Sequence, residues 1–119
     1  MDPNDRQALI DIHGVLDRAL GYPIDTEETF FSKDYLQDAV IRCLEILGEA
    51  TKRLSPEFRR LHPDLPWRAM AGMRDVLIHA YDQVDLEEVW MAYQRFAEIR
   101  RRNLKPELKA TVEAEAIPL

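Results

Sequence analysis

An all-α fold, an up-and-down antiparallel bundle of four main helices plus a short one, follows from three observations. Apolar residues recur at helical spacing in four separate stretches, each wide enough to cover one face of a helix. No stretch alternates with the period of two that a half-buried strand requires. Helix-starting residues precede the periodic stretches, and Gly or Pro breaks most of the connections. With 119 residues, the chain suits one domain around one modest core. The helical domain is expected over residues 1–109, with 110–119 as a flexible tail.

The first helix starts at Asp2-Pro3-Asn4, carries Leu9, Ile12, Leu16 and Leu20 on one stripe, and ends at Gly21-Tyr22-Pro23. Ile10, Val15 and Ala19 widen that stripe. His13, beside it, reads as a structural or surface histidine. Residues 24–32 form a connection with room for one short turn, pinned to the core by Phe30 and Phe31. Ser32 is the expected N-cap of a long second helix over 33–54. Its buried side is Leu36, Val40, Cys43, Leu47, Ala50 and Leu54, while Leu44 and Ile46 lie off that line. An apolar surface this wide exceeds what one neighbour covers, which points to a bundle or a dimer. Glu45 and Glu49 share another face one turn apart, with Arg42, Lys52 and Arg53 as expected ion-pair partners.

Ser55-Pro56 opens a short helix, Ser as cap and Pro at its first position. His62-Pro63-Asp64-Leu65-Pro66 is a stiff loop before a third main helix, whose inward side is Trp67, Met70, Met73 or Arg74, Leu77 and Ile78. Gly72 inside that helix costs up to about 1 kcal/mol relative to Ala, and close packing against another backbone would account for it, as would tolerated strain. Asp82-Gln83-Val84-Asp85 breaks the pattern. Asp85-Leu86-Glu87-Glu88 has the form of a capping box, and the last helix follows over 86–103 with Leu86, Val89, Trp90, Tyr93, Phe96 and Ala97 inward.

Composition excludes several function classes. The chain is 46% hydrophobic and 32% charged, as globular proteins are, and no apolar run approaches the ~20 residues of a membrane span. Its N-terminus is polar and acidic rather than a signal peptide, so a cytoplasmic location is expected. The single cysteine, Cys43, sits among apolar helical positions and reads as core packing. A net charge of −6 argues against broad nucleic-acid binding and confines any RNA site to a local basic patch. Arg95, Arg100, Arg101 and Arg102 make one such basic end, with Arg100, Arg101 and Arg102 as RNA-binding candidates. Cations at a helix C-terminus also complement its dipole without any ligand. No zinc spacing and no phosphate-binding Gly-rich loop occurs, so neither a metal site nor a cofactor is expected.

The chemistry concentrates in Gly72-Met73-Arg74-Asp75-Val76-Leu77-Ile78-His79-Ala80-Tyr81. Asp75 and His79 are one turn apart on a helix, where a carboxylate fixes an imidazole's orientation. Arg74 and His79 are five apart, about 140° around the axis and about 7.5 Å along it. A long arginine side chain or a helix ending near His79 lets both serve one ligand. A solvated helix face ending in a histidine fits the same residues.

The motif, Arg-polar-x3-His-x-Tyr, resembles the HEPN superfamily, specifically the HepT-like toxins paired with a minimal nucleotidyltransferase antitoxin. The likeness extends over about residues 5 to 104. It includes Arg42-Cys43-Leu44-Glu45-Ile46-Leu47-Gly48-Glu49-Ala50, Pro66-Trp67 and Gly72-Met73 before the motif, and Asp82-Gln83-Val84-Asp85 and Val89-Trp90 after it. The resemblance implies the same bundle fold and a metal-independent ribonuclease with motifs paired across a homodimer. It also implies a larger hetero-oligomer with the antitoxin, and Tyr81 as the acceptor of adenylyl groups. The residue inventory fits cleavage of RNA by its own 2′-hydroxyl. No Ser or Cys nucleophile lies beside the histidine. His79 would move the proton, Arg74 would stabilise charge on the phosphoryl oxygens, and Asp75 would orient His79. The alternative is a non-catalytic HEPN subunit whose Arg74, His79 and Tyr81 contact a nucleotide or a nucleotidyltransferase partner.

Overall fold

The computed structural model describes residues 2–63, 65–79 and 85–103, with the side chains of Asp75, Val76, Ile78, His79, Ile99 and residues 101–103 outside that description. Six helices occur among the described residues, in the order α1 (Pro3–Leu20), α2 (Glu27–Ser32), α3 (Asp34–Lys52), α4 (Pro56–Leu61), α5 (Trp67–His79) and α6 (Leu86–Asn103). No strand is present among them, and the all-α bundle is as the sequence predicts. No helix of the described residues is long and apolar enough to cross a membrane.

α3 is the central element. α1 packs along one side of it and α5 along another, and α6 lies against α1, α3 and α2. This explains the width of its apolar surface. Leu36, Val40, Cys43, Leu47, Ala50 and Leu54 are buried as expected, and so is Leu44. Within the chain that face meets α1, α5, α6 and α2, and Ile46 stays partly exposed.

Caps fix where the helices begin. The Asp2 carboxylate accepts from the Asn4 N–H at 2.6 Å, and Pro3 opens α1. Ser55 Oγ accepts from the Phe58 N–H at 3.1 Å. Asp85 Oδ1 accepts from the Glu87 N–H at 2.9 Å. α1 and α4 are joined by a buried carboxylate, since Asp5, only 5% exposed, accepts from the Ser55 N–H and the Ser55 hydroxyl, both at 2.7 Å. A buried acid is retained because both its oxygens are satisfied.

Four local expectations need correction. Ser32 does not cap α3. It ends α2, where its hydroxyl donates to the Thr29 carbonyl, and Lys33 occupies the cap of α3 with no side-chain hydrogen bond. The connection over 24–32 holds a capped helix, with Thr26 Oγ1 accepting from the Thr29 N–H at 3.2 Å. Of the two phenylalanines Phe30 pins it, fully buried and 5.3 Å from the Trp90 ring, whereas Phe31 faces outward. On α6, Ala97 is exposed and Ala92 takes an inward place beside Val89, Tyr93 and Phe96.

Cys43 is sealed in the core beside α1. Arg18 Nη2 donates to its sulfur at 3.7 Å, and the Tyr22 hydroxyl lies 3.6 Å from it. The contact with the Cys43 sulfur, and then burial, raise the Tyr22 phenol above its ordinary pKa. Burial, and then Cys43, raise that of Tyr93. The Cys43 contact likewise raises Arg18.

Candidate functional site

Arg74 begins at a helix–helix contact and ends at the surface. On α5, Met70 and Leu77 face the core, and Arg74 lies one turn after Met70. A position so close to the neighbouring helix has no room for a facing side chain on α3. Gly48 supplies the space. A Cβ built there would fall 2.6 Å from the Arg74 Cβ, 2.9 Å from its backbone nitrogen and 3.1 Å from the Met70 carbonyl oxygen. The close backbone approach is therefore at Gly48. Gly72, the glycine for which the sequence suggests such packing, has open space where its Cβ would lie.

From this start, the Arg74 stem runs outward and its head group reaches water, the usual course for a long cationic side chain at a core edge. Its side chain is 33% exposed and pairs through Nε with the Glu49 carboxylate. Glu49 is next in sequence to Gly48, so one turn of α3 both makes room for Arg74 and holds its charge. A shallow depression here is lined by Arg42, Glu45, Ile46, Glu49, Arg53 and Arg74. Arg42 pairs with Glu45 at 3.1 Å, as expected, but Arg53 turns to Asp11 of α1, and Glu49 pairs with Arg74. Sequence reasoning missed the Glu49–Arg74 pair. The available signal was a glycine in mid-helix directly before a glutamate.

The remaining motif positions are placed by backbone only. Asp75 and His79 lie one turn apart on α5, and His79 is its last residue. Tyr81 lies outside the described residues. Among the RNA-binding candidates, Arg100 donates from Nε to Asp17 Oδ1 at 2.8 Å and ties α6 to α1. His13 approaches the same Asp17 at 3.5 Å. The side chains of Arg101 and Arg102, and the segment 110–119, lie outside the described residues. His62 stacks on Phe58 at 4.4 Å between ring centroids, and its carbonyl accepts from Trp67 Nε1 at 2.7 Å, so it serves the α4–α5 corner.

Comparison with known proteins narrows the reading. The profile of the family described as "Ribonuclease HepT-like" matches residues 12–114. "Probable ribonuclease HepT" of Thermococcus cleftensis is 56% identical over 63 residues, 53% of this chain and 57% of that protein. "Gamma-glutamylcyclotransferase and putative RNase MJ0434" of Methanocaldococcus jannaschii is 52% identical over 65 residues, 55% of this chain and 29% of that protein. "Putative RNase MJ0125" of the same organism is 41% identical over 83 residues, 69% of this chain and 72% of that protein. The matched stretch thus spans little more than half of the first of these relatives and under a third of the second. No solved structure matches significantly. The all-α bundle and the profile match over most of the chain lead to one conclusion: the chain belongs to the HepT-like ribonuclease family.

Proposed function

We propose that this protein is a metal-independent endoribonuclease, the toxin of a pair with a minimal nucleotidyltransferase antitoxin. The observation that carries the reading is the setting of Arg74. A guanidinium whose stem is fixed by close helix packing over Gly48, and whose head is held at the surface by Glu49, is positioned in advance of any ligand. Arginine's planar fork suits two oxygens of one phosphate. Membership of a family described as ribonucleases supports RNA as the substrate.

In this reading, the phosphodiester bridges Arg74 and His79. His79 takes the proton from the 2′-hydroxyl, the hydroxyl oxygen attacks the adjacent phosphorus, and the bond to the 5′-oxygen breaks. Negative charge gathers on the equatorial oxygens, where Arg74 stabilises it. Asp75, one turn before His79, orients the imidazole. The leaving oxygen needs a proton, and a single histidine does not readily serve as base and acid at once. A homodimer that brings two motifs to one groove supplies the second. Tyr81 is the proposed acceptor of an adenylyl group. A phosphodiester attached there would compete with RNA phosphate for Arg74.

The test is cleavage of total RNA by purified protein in the presence of a chelator. His79→Ala should abolish cleavage while leaving helicity and dimerisation intact, and Arg74→Lys should be strongly impaired. A fully active His79→Ala protein would refute the reading. Co-expression with the antitoxin, followed by peptide mapping, should place adenylyl mass on Tyr81, lost in Tyr81→Phe.

A further inference from the structure

Most arginines with described side chains are engaged within the fold. Arg18 contacts Cys43, Arg42 pairs with Glu45, Arg53 with Asp11, Arg74 with Glu49 and Arg100 with Asp17, and Arg59 donates from Nη2 to the Thr51 carbonyl at 2.9 Å. Arg60, Arg68 and Arg95 differ. All three are exposed, and none makes a hydrogen bond or ion pair among the described residues. They come from α4, α5 and α6, yet they gather around one feature. Arg60 and Arg68 line an open depression walled by Pro66 and Ala69. Arg95 lines a groove on the other side of the same Pro66–Ala69 ridge. Glu98 shares that second groove but is itself engaged.

We infer that Arg60, Arg68 and Arg95 form a phosphate-binding stripe that holds single-stranded RNA across the start of α5 and leads it toward Arg74. On a chain of net charge −6, three cations in one place without partners among the described residues make a local positive potential that attracts a polyanion. Their guanidiniums suit phosphate oxygens along a strand. Trp67, the aromatic at the centre, is buried with its indole N–H committed to the His62 carbonyl, so it offers no stacking face. The stripe therefore holds the strand chiefly through its backbone. The first turn of α5 adds the positive end of its dipole. Arg68 lies six residues before Arg74, about 9 Å along the axis and about 120° around it, so a strand running between them crosses α5 obliquely. The inference rests on the ribonuclease reading and names the track by which its substrate arrives.

The experiment measures binding of a fluorescein-labelled, 2′-O-methyl single-stranded RNA of mixed sequence, which the proposed reaction does not cut, by anisotropy across a salt series. The full chain carries Arg60→Gln with Arg68→Gln, then Arg95→Gln as well. Lys33→Gln with Lys52→Gln is the charge-matched control, and cleavage of ordinary RNA is assayed in parallel. The patch double variant should bind about tenfold more weakly at moderate salt, with a log–log salt slope shallower by about 1.4, and the third substitution should remove about 0.7 more. The control should keep the wild-type slope to within half that change. Wild-type binding by the patch variants, with RNA cleavage intact, overturns the stripe and leaves the ribonuclease reading standing. Intact RNA binding with lost affinity for a purified nucleotidyltransferase partner assigns the surface to protein and overturns it equally. A wild-type protein that neither binds nor cuts RNA overturns both.

Discussion

Gly48 on α3 lies directly beneath Arg74 on α5, so close that a methyl group there would overlap the Arg74 Cβ. The spacing between the two helices is thus set at the residue expected to bind phosphate, and the two glycines of these helices should answer opposite ways to the same substitution. Gly48→Ala forces α5 outward and should cost about 1–3 kcal/mol through overpacking, partly offset by the better helix propensity of alanine. Gly72→Ala fills open space and should raise stability by up to about 1 kcal/mol. Thermal melts of the two variants check the contrast, and RNA cleavage should fall in Gly48→Ala beyond any loss of folded protein at the assay temperature.

Glu49 neutralises Arg74 while holding it in place, and these two roles can be separated. Both side chains are partly exposed, so Glu49→Gln should change stability by less than about 1 kcal/mol. Without the carboxylate, RNA phosphate meets a guanidinium relieved of the Glu49 charge, so RNA should bind more tightly at low salt. A guanidinium that has lost the Glu49 contact samples more orientations, so kcat should fall. Single-turnover kinetics and anisotropy on the same protein resolve the two effects.

The Asp5–Ser55 pair should be one of the costliest polar contacts to break. Asp5→Ala strands two part-buried donors, and Ser55→Ala strands an oxygen of the buried Asp5 carboxylate and removes the cap of α4. Hydrogen bonds to charged groups are worth about 1.5–3 kcal/mol, so each single variant should lose roughly 2–4 kcal/mol. Their double variant should lose distinctly less than the sum, which chemical denaturation of all four proteins in a mutant cycle would measure.

Stability should decline in alkali through Tyr22 and Tyr93. Both phenols are held above their ordinary value in the fold, Tyr22 chiefly by the Cys43 contact and Tyr93 chiefly by burial. A raised pKa means that the folded state retains a proton the unfolded chain has already released. The stabilisation is full below the unfolded phenol value near 10 and is lost as pH rises through the higher folded values. Melting temperature should therefore fall as pH climbs past about 10, and Tyr93→Phe should flatten that fall.

The four long helices are legible in the sequence because each carries an apolar stripe of several turns between cap and breaker. α2 is not, since six residues hold too few apolar positions for a period to show, and its cap at Thr26 competes with Ser32 on composition alone. The Arg74 position is legible as chemistry but not as geometry. Local spacing offers Glu49 the partners Arg42, Lys52 and Arg53, and only the packing of α5 on α3 adds Arg74. The same packing shows that Gly48, not Gly72, is the glycine the fold requires.

The tie between Asp5 and Ser55 also bears on how the chain is born. The acid leaves the ribosome first, and its partner lies 50 residues behind it. At about 5–20 residues per second, the carboxylate waits roughly 3–10 s for the groups that satisfy it. During that interval, docking α1 would bury an unpaired charge. α1 therefore settles late, once α3 and the start of α4 have emerged. Force measurements on arrested nascent chains should register the docking step only after Ser55 clears the exit tunnel.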